Sequence, residues 1–83
     1  MNAIIFKAIK EERERQDRKF GEQNHEPLRW LAIIGEEFGE ACKEYLEYSF
    51  GNRDSLEHYK KELVEIAATC IAAIESLERN KTL

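Results

Sequence analysis

Residues 63–74 read LVEIAATCIAAI. At about 100° per residue, the apolar side chains of this run cover nearly the whole circumference of a helix. A helix that is apolar all round is buried all round. The chain has 83 residues, and one this short buries only about 60% of its unfolded surface. Two further helices of such a chain do not wrap this one completely. A second copy is the economical cover, so the sequence predicts a homodimer, or a homotetramer, whose long helices form a four-helix bundle. Ala67 and Ala68 are expected on the face that meets the partner.

Working outward, two more helical segments are visible. The first runs from about Ala3 to Lys19, with Ile5, Ile9 and Phe6 as an apolar edge. Its KEERERQDRK stretch reads as a solvated face, with Glu11 and Arg15 one turn apart as a modest helper. Phe20–Pro27, FGEQNHEP, carries Gly21, Asn24 and Pro27 and reads as a loop. The second helix is expected from Leu28 to about Phe50, where Gly51-Asn52 stops it. Asp54 or Ser55 is the expected cap of the third, which runs to about Arg79. No segment alternates with period two over a useful length. The expectation is a single all-α domain over residues 1–83, with three helices per chain.

Charge and composition narrow the function. The net charge is -4, with acids and bases interleaved and no basic stripe, so no nucleic acid polymer is expected as partner. The opening MNAIIF is too short for a signal peptide or a membrane span, so a cytoplasmic protein is expected. Cys42 and Cys70 lack any zinc or redox spacing and read as reduced core residues.

The candidate chemistry lies in acids placed among apolar residues. Glu-x-x-Glu occurs five times, at 11/14, 37/40, 44/47, 62/65 and 75/78. Residues three apart share a helix face, so each pair converges. Glu37/Glu40 and Glu62/Glu65 stand apart because they interrupt the most apolar parts of their helices. Packed antiparallel, those helices bring four carboxylates face to face, which like-charge repulsion forbids without cations. Mg²⁺, hard and oxygen-seeking, suits such a site. The competing account pairs the acids across helices with Lys43, Lys60 or Lys61. Glu22-x-x-His25 has the spacing of a di-iron ligand pair but occurs once, in a loop. His58 reads as surface or capping.

EEFGE followed by KELVE resembles the all-α nucleoside triphosphate pyrophosphohydrolases of the MazG type. Glu37, Glu40 and Glu62 fit that family's Glu-x-x-Glu and Glu-x-x-Asp pattern, and Glu65 stands where Asp is usual. Twenty-one residues separate Glu40 from Glu62. ERERQDRKFGEQNH, WLAIIGEEFGEA and YKKELVEIAATCIAAIE together look like the short MazG-like proteins of phages and prophages. The resemblance implies Mg²⁺, or Mn²⁺ in its place, held by Glu37, Glu40, Glu62 and Glu65. It implies hydrolysis of a (d)NTP at the α–β linkage to a (d)NMP and pyrophosphate, with these four acids as the catalytic set.

The same resemblance would make the loop and its flanks the base pocket. Trp30, with Phe20, is then a stacking candidate, against its alternative as core packing. Asn24 and His25 become contacts to base edges, against simple turn chemistry. Lys19, Arg13 and Lys43 are candidates for phosphate, and Gln16 matches the family pattern without a derivable role. Glu36 lies about 100° round the helix from Glu37, outside the ligand set. Glu65 in place of Asp keeps a second reading open: a nucleotide-binding or regulatory module of the same fold that is weak or inactive in catalysis. A helical interaction module with no nucleotide role is the third.

Overall fold

The computed structural model describes residues 2–81. It contains three helices: α1 Ala3–Phe20, α2 Pro27–Ser49 and α3 Ser55–Arg79. Among the described residues there is no strand. The ends follow local chemistry. The Asn2 side chain caps α1 by accepting from the backbone N–H of Ile4 at 2.8 Å. Gly21, at φ 71°, ends it, a left-handed conformation that glycine adopts at no steric cost. Helix α2 begins at Pro27, as its expected start near Leu28 allows, because Pro27 has a fixed φ suited to the first turn and has no N–H to satisfy. The Glu26 carboxylate caps it, accepting from the N–H of Arg29 at 2.9 Å.

Helix α3 starts after one of its two expected caps, but without the cap hydrogen bond. Asp54 occupies the cap position without a side-chain hydrogen bond. Ser55 is fully buried, and its hydroxyl donates across to the Glu47 carboxylate at 3.3 Å. This hydroxyl ties the end of α2 to the start of α3 instead of satisfying its own helix.

Helices α1 and α2 each pack on α3 and, among the described residues, not on one another. The apolar side chains that become fully buried are few and mostly small: Trp30, Ala41, Ala68 and Ala73. Thr69 and Ser76 lie among them on α3. Small side chains let the helix axes approach closely, but they bury little apolar area. Polar clamps support the contacts. The Arg13 guanidinium lies 2.7 Å from the Glu75 carboxylate and 3.1 Å from Asp17. Gln16 donates to the Thr69 hydroxyl at 3.2 Å. The loop is tied to the end of α3 by Asn24, whose carbonyl oxygen accepts from Arg79 and Asn80.

The expected pair of Glu11 and Arg15 does not form. Lys7 lies beside Glu11 at 3.7 Å, and Arg15 turns to Glu12 at 2.6 Å. Both cysteines are free, but Cys42 is exposed and Cys70 half-buried, so neither is a core residue of the single chain. The reason is that α1 and α2 leave one side of α3 and the adjoining side of α2 uncovered. Leu63, Ala67, Cys70, Ile74 and Leu77 recur at spacings of four and three along α3, and none of them is buried. Ile74 is 59% exposed, and Phe38 on α2 is 62% exposed. Ala68, by contrast, faces inward and is inaccessible within one chain, so it does not lie on the outer face with Ala67.

Ala68→Glu is therefore expected to destabilise the chain itself, by about 3–5 kcal/mol, through an unpaired buried charge. Circular dichroism melting should show a large loss of helix stability for Ala68→Glu and a smaller one for the half-buried Ala67→Glu.

Candidate functional site

The close packing of α2 on α3 sets the candidate site. Glu37 and Glu40 project from α2; Glu62 and Glu65 project from α3. Glu37, Glu62 and Glu65 are half-buried, and Glu40 is exposed. Among the described residues none of the four forms an ion pair, and Lys43, Lys60 and Lys61 pair with no acid. The interhelical lysine pairing that competed in the sequence is absent from this contact.

Unneutralised carboxylates in a partly dry cleft hold their protons. Glu62 is pushed up to about 7, by burial first, then by the charge of Glu65 and a hydrogen bond shared with it, then by the charges of Glu40 and Glu37. Glu37 is raised as well, by burial above all. A hydrogen bond with Thr69 opposes that rise, the charges of Glu65 and Glu12 add to it, and Arg15 offsets part of it. One Glu37 oxygen, Oε1, is buried with no hydrogen-bond partner. The four acids thus act on one another, yet among the described residues no three Asp, Glu, His or Cys side chains are drawn together closely enough to hold a metal ion. The fit to a divalent cation is one of chemistry: oxygen donors, excess negative charge, and a buried oxygen without a donor.

Glu37 also lines a cavity of about 330 Å³ with Arg15, Gln16, Phe20, Trp30 and Thr69. That volume sits at the small end of ligand pockets, roughly 300–1,000 Å³. Trp30, 3% exposed, lies at its base. Its indole N–H has no partner, and the His25 ring packs edge-on against it at 4.8 Å. Phe20, 54% exposed, stands at the rim with the Lys19 ammonium 5.1 Å from its ring centre.

The other expected substrate contacts lie elsewhere. Asn24 and His25 line a separate cavity of about 560 Å³ with Ser76 and Asn80. His25 is also within 3.2 Å of the Gln23 amide. Lys43 is exposed and lines neither cavity. Arg13 is engaged by Asp17 and Glu75. Glu36 is exposed. Three residues that the sequence did not single out join the site: Glu12, Arg15 and Thr69. A signal was available for Glu12 alone, since Glu12, Gln16 and Phe20 fall one helical turn apart on α1. No family model matches this chain, and no curated protein or solved structure matches it.

The raised Glu62 value has a stability consequence. Its ordinary value is 4.5, so the folded chain keeps a proton that the unfolded chain releases as pH rises. The stability this proton contributes is complete below 4.5 and is lost as pH rises through about 7. In chelator, the thermal midpoint should fall between about pH 5 and about pH 8, and Glu62→Gln should flatten that fall. Unfolding followed by circular dichroism across that range is the check.

Proposed function

We propose that this chain is a MazG-like nucleoside triphosphate pyrophosphohydrolase, dependent on Mg²⁺, that converts a (d)NTP to a (d)NMP and pyrophosphate. The observation that carries the reading is the set of four half-buried or exposed carboxylates on two packed helices, with no cation paired to any of them. A merely structural site of this kind would normally carry a lysine or arginine partner. The cavity with Trp30 and Phe20 beside Glu37 gives an apolar surface suited to a base.

Glu37, Glu40, Glu62 and Glu65 would hold the divalent ion, which supplies neutralisation of phosphate charge and acidification of water when bound. The acids also orient the attacking water through their free oxygens, Glu37 Oε1 among them. In the reaction a water oxygen bonds to the α-phosphorus, the bond from that phosphorus to the bridging oxygen breaks, and pyrophosphate leaves. The Thr69 hydroxyl, receiving a hydrogen bond from Gln16, lines the cavity beside Glu37 and favours its ionised form.

The assembly we propose is a homodimer, or a tetramer built on it, in which α2 and α3 of two copies form a four-helix bundle. The support is the uncovered apolar stripe through Leu63, Ile74 and Leu77, all at least 45% exposed in the single chain. The proposed setting is cytoplasmic, in a phage or prophage context; no helix among the described residues is long and apolar enough to cross a membrane. Glu65 in place of Asp, together with the open spacing of the acids, favours a second reading: a nucleotide-binding module with little turnover.

Purified protein with Mg²⁺ should release pyrophosphate from some member of a panel of NTPs and dNTPs. Glu37→Gln and Glu62→Gln should each lower that rate by about 10²-fold or more. Binding of nucleotide without turnover would select the second reading, and neither binding nor turnover would end both. The bundle is tested separately: wild-type protein should scatter light as a dimer or larger, and its thermal midpoint should rise with protein concentration. Ile74→Glu should remove both properties.

A further inference from the structure

The geometry points to Arg15, rather than Arg13 or Lys19 of the same helix, as the side chain that takes a phosphate group of the ligand. The inference rests on the reading that these carboxylates serve a phosphorylated ligand together with Mg²⁺. A polyphosphate carries several negative charges and must approach four carboxylates. A fixed cation beside the acids, not paired with them, adds to the divalent ion in offsetting that repulsion.

Arg15 meets that description by position. It is the one cationic residue among those lining the cavity beside Glu37. The charges of Glu65 and Glu37 both act on its guanidinium, after the larger effect of its hydrogen bond with Glu12. Lys61, whose charge also acts on Glu12, does not line the cavity. Arg13 is engaged by Asp17 and Glu75, Lys19 lies over the Phe20 ring, and Lys43 is outside the cavity.

The way Arg15 is held leaves its binding edge free. Its Nε donates to Glu12 Oε1 at 2.8 Å, and its Nη2 donates to Glu12 Oε2 at 2.6 Å. That contact uses one side of the guanidinium. Among the described residues Nη1 donates to no protein acceptor. A guanidinium has five N–H donors in a rigid plane. The Nη1–Nη2 end is therefore open to accept two oxygens of a phosphate side by side, the arrangement in which arginine surpasses lysine. Glu12 is itself fixed: its side chain is 10% exposed, and Gln16 donates to it at 3.4 Å. The Arg15 hydrogen bond holds the Glu12 carboxyl below its ordinary value, so the pair stays charged near neutrality. The guanidinium is thus oriented before ligand arrives, which lowers the ordering cost of binding.

Calorimetric titration of the full chain with pyrophosphate and with inorganic tripolyphosphate, each in excess Mg²⁺, tests the assignment without requiring turnover. A non-hydrolysable α,β-imido dNTP is the nucleotide arm. Wild-type protein should bind these probes, and Arg15→Gln should weaken each by about 10-fold or more, the effect of losing a charged hydrogen-bond pair. Its thermal midpoint should fall, because Glu12, whose side chain is 10% exposed, loses its partner, so affinities are compared well below both midpoints. Arg15→Lys, which keeps the charge without the fork, should fall between the two. Equal affinities for wild type and Arg15→Gln would overturn the assignment, as would the absence of probe binding to wild type. Should Arg15→Gln fail to fold, Arg15→Lys decides: unchanged affinity overturns the inference and weakened affinity supports it. Arg15-dependent binding in a protein that hydrolyses no triphosphate would end the pyrophosphohydrolase reading and leave the Arg15 assignment standing.

Discussion

Like charge held between two packed helices is the constraint on which the rest of this structure depends. The α2–α3 contact is made by small residues, which bring the backbones close and carry the longer acids with them. Glu62 responds by keeping a proton up to about 7. Glu37 keeps one oxygen buried and unserved. Each feature costs stability in a chain with little to spare. A fold that needed only a helical hairpin would place lysines opposite these acids, and several lysines lie close in sequence. They point to solvent instead.

The second constraint is the size of the interior. Among the described residues, four buried apolar side chains, three of them alanine, are a slender core for three long helices. Large apolar residues are meanwhile left open, with Phe50 at 87% and Leu28 at 71% exposure. Polar ties carry much of the definition within one chain, as in Arg13 with Glu75 and Asn24 with Arg79. A second copy over the outer stripe of α3 would add what hydrophobic burial the single chain lacks.

Much of the fold was legible because its signals are local. Pro27, Gly21 and Gly51 mark ends that depend only on backbone geometry, and the helix limits fall within about a residue or two of the expected ones. The two embedded acid pairs were legible because charge inside an apolar run is unusual. What stayed hidden depends on which neighbour arrives from another helix. Ala67 and Ala68 look alike in sequence, yet α1 and α2 cover only the second. Arg15 has Glu11 and Glu12 within one turn, and spacing alone does not choose between them. The choice falls to Glu12, which is largely buried beside α3 and is joined there by Gln16. Trp30, nearly buried, matches its reading as core packing, and its ring also lines the cavity beside Glu37.

Helix α1 meets α3 but not α2. The wall that carries Glu12, Arg15 and Phe20 therefore meets the acid-bearing hairpin through α3, by ties such as Gln16 with Thr69. Drift along α1 outside those ties can reshape the cavity while leaving the α2–α3 contact in place. An architecture divided in this way lets one wall diversify between descendants while the helix pair that carries the acids is kept.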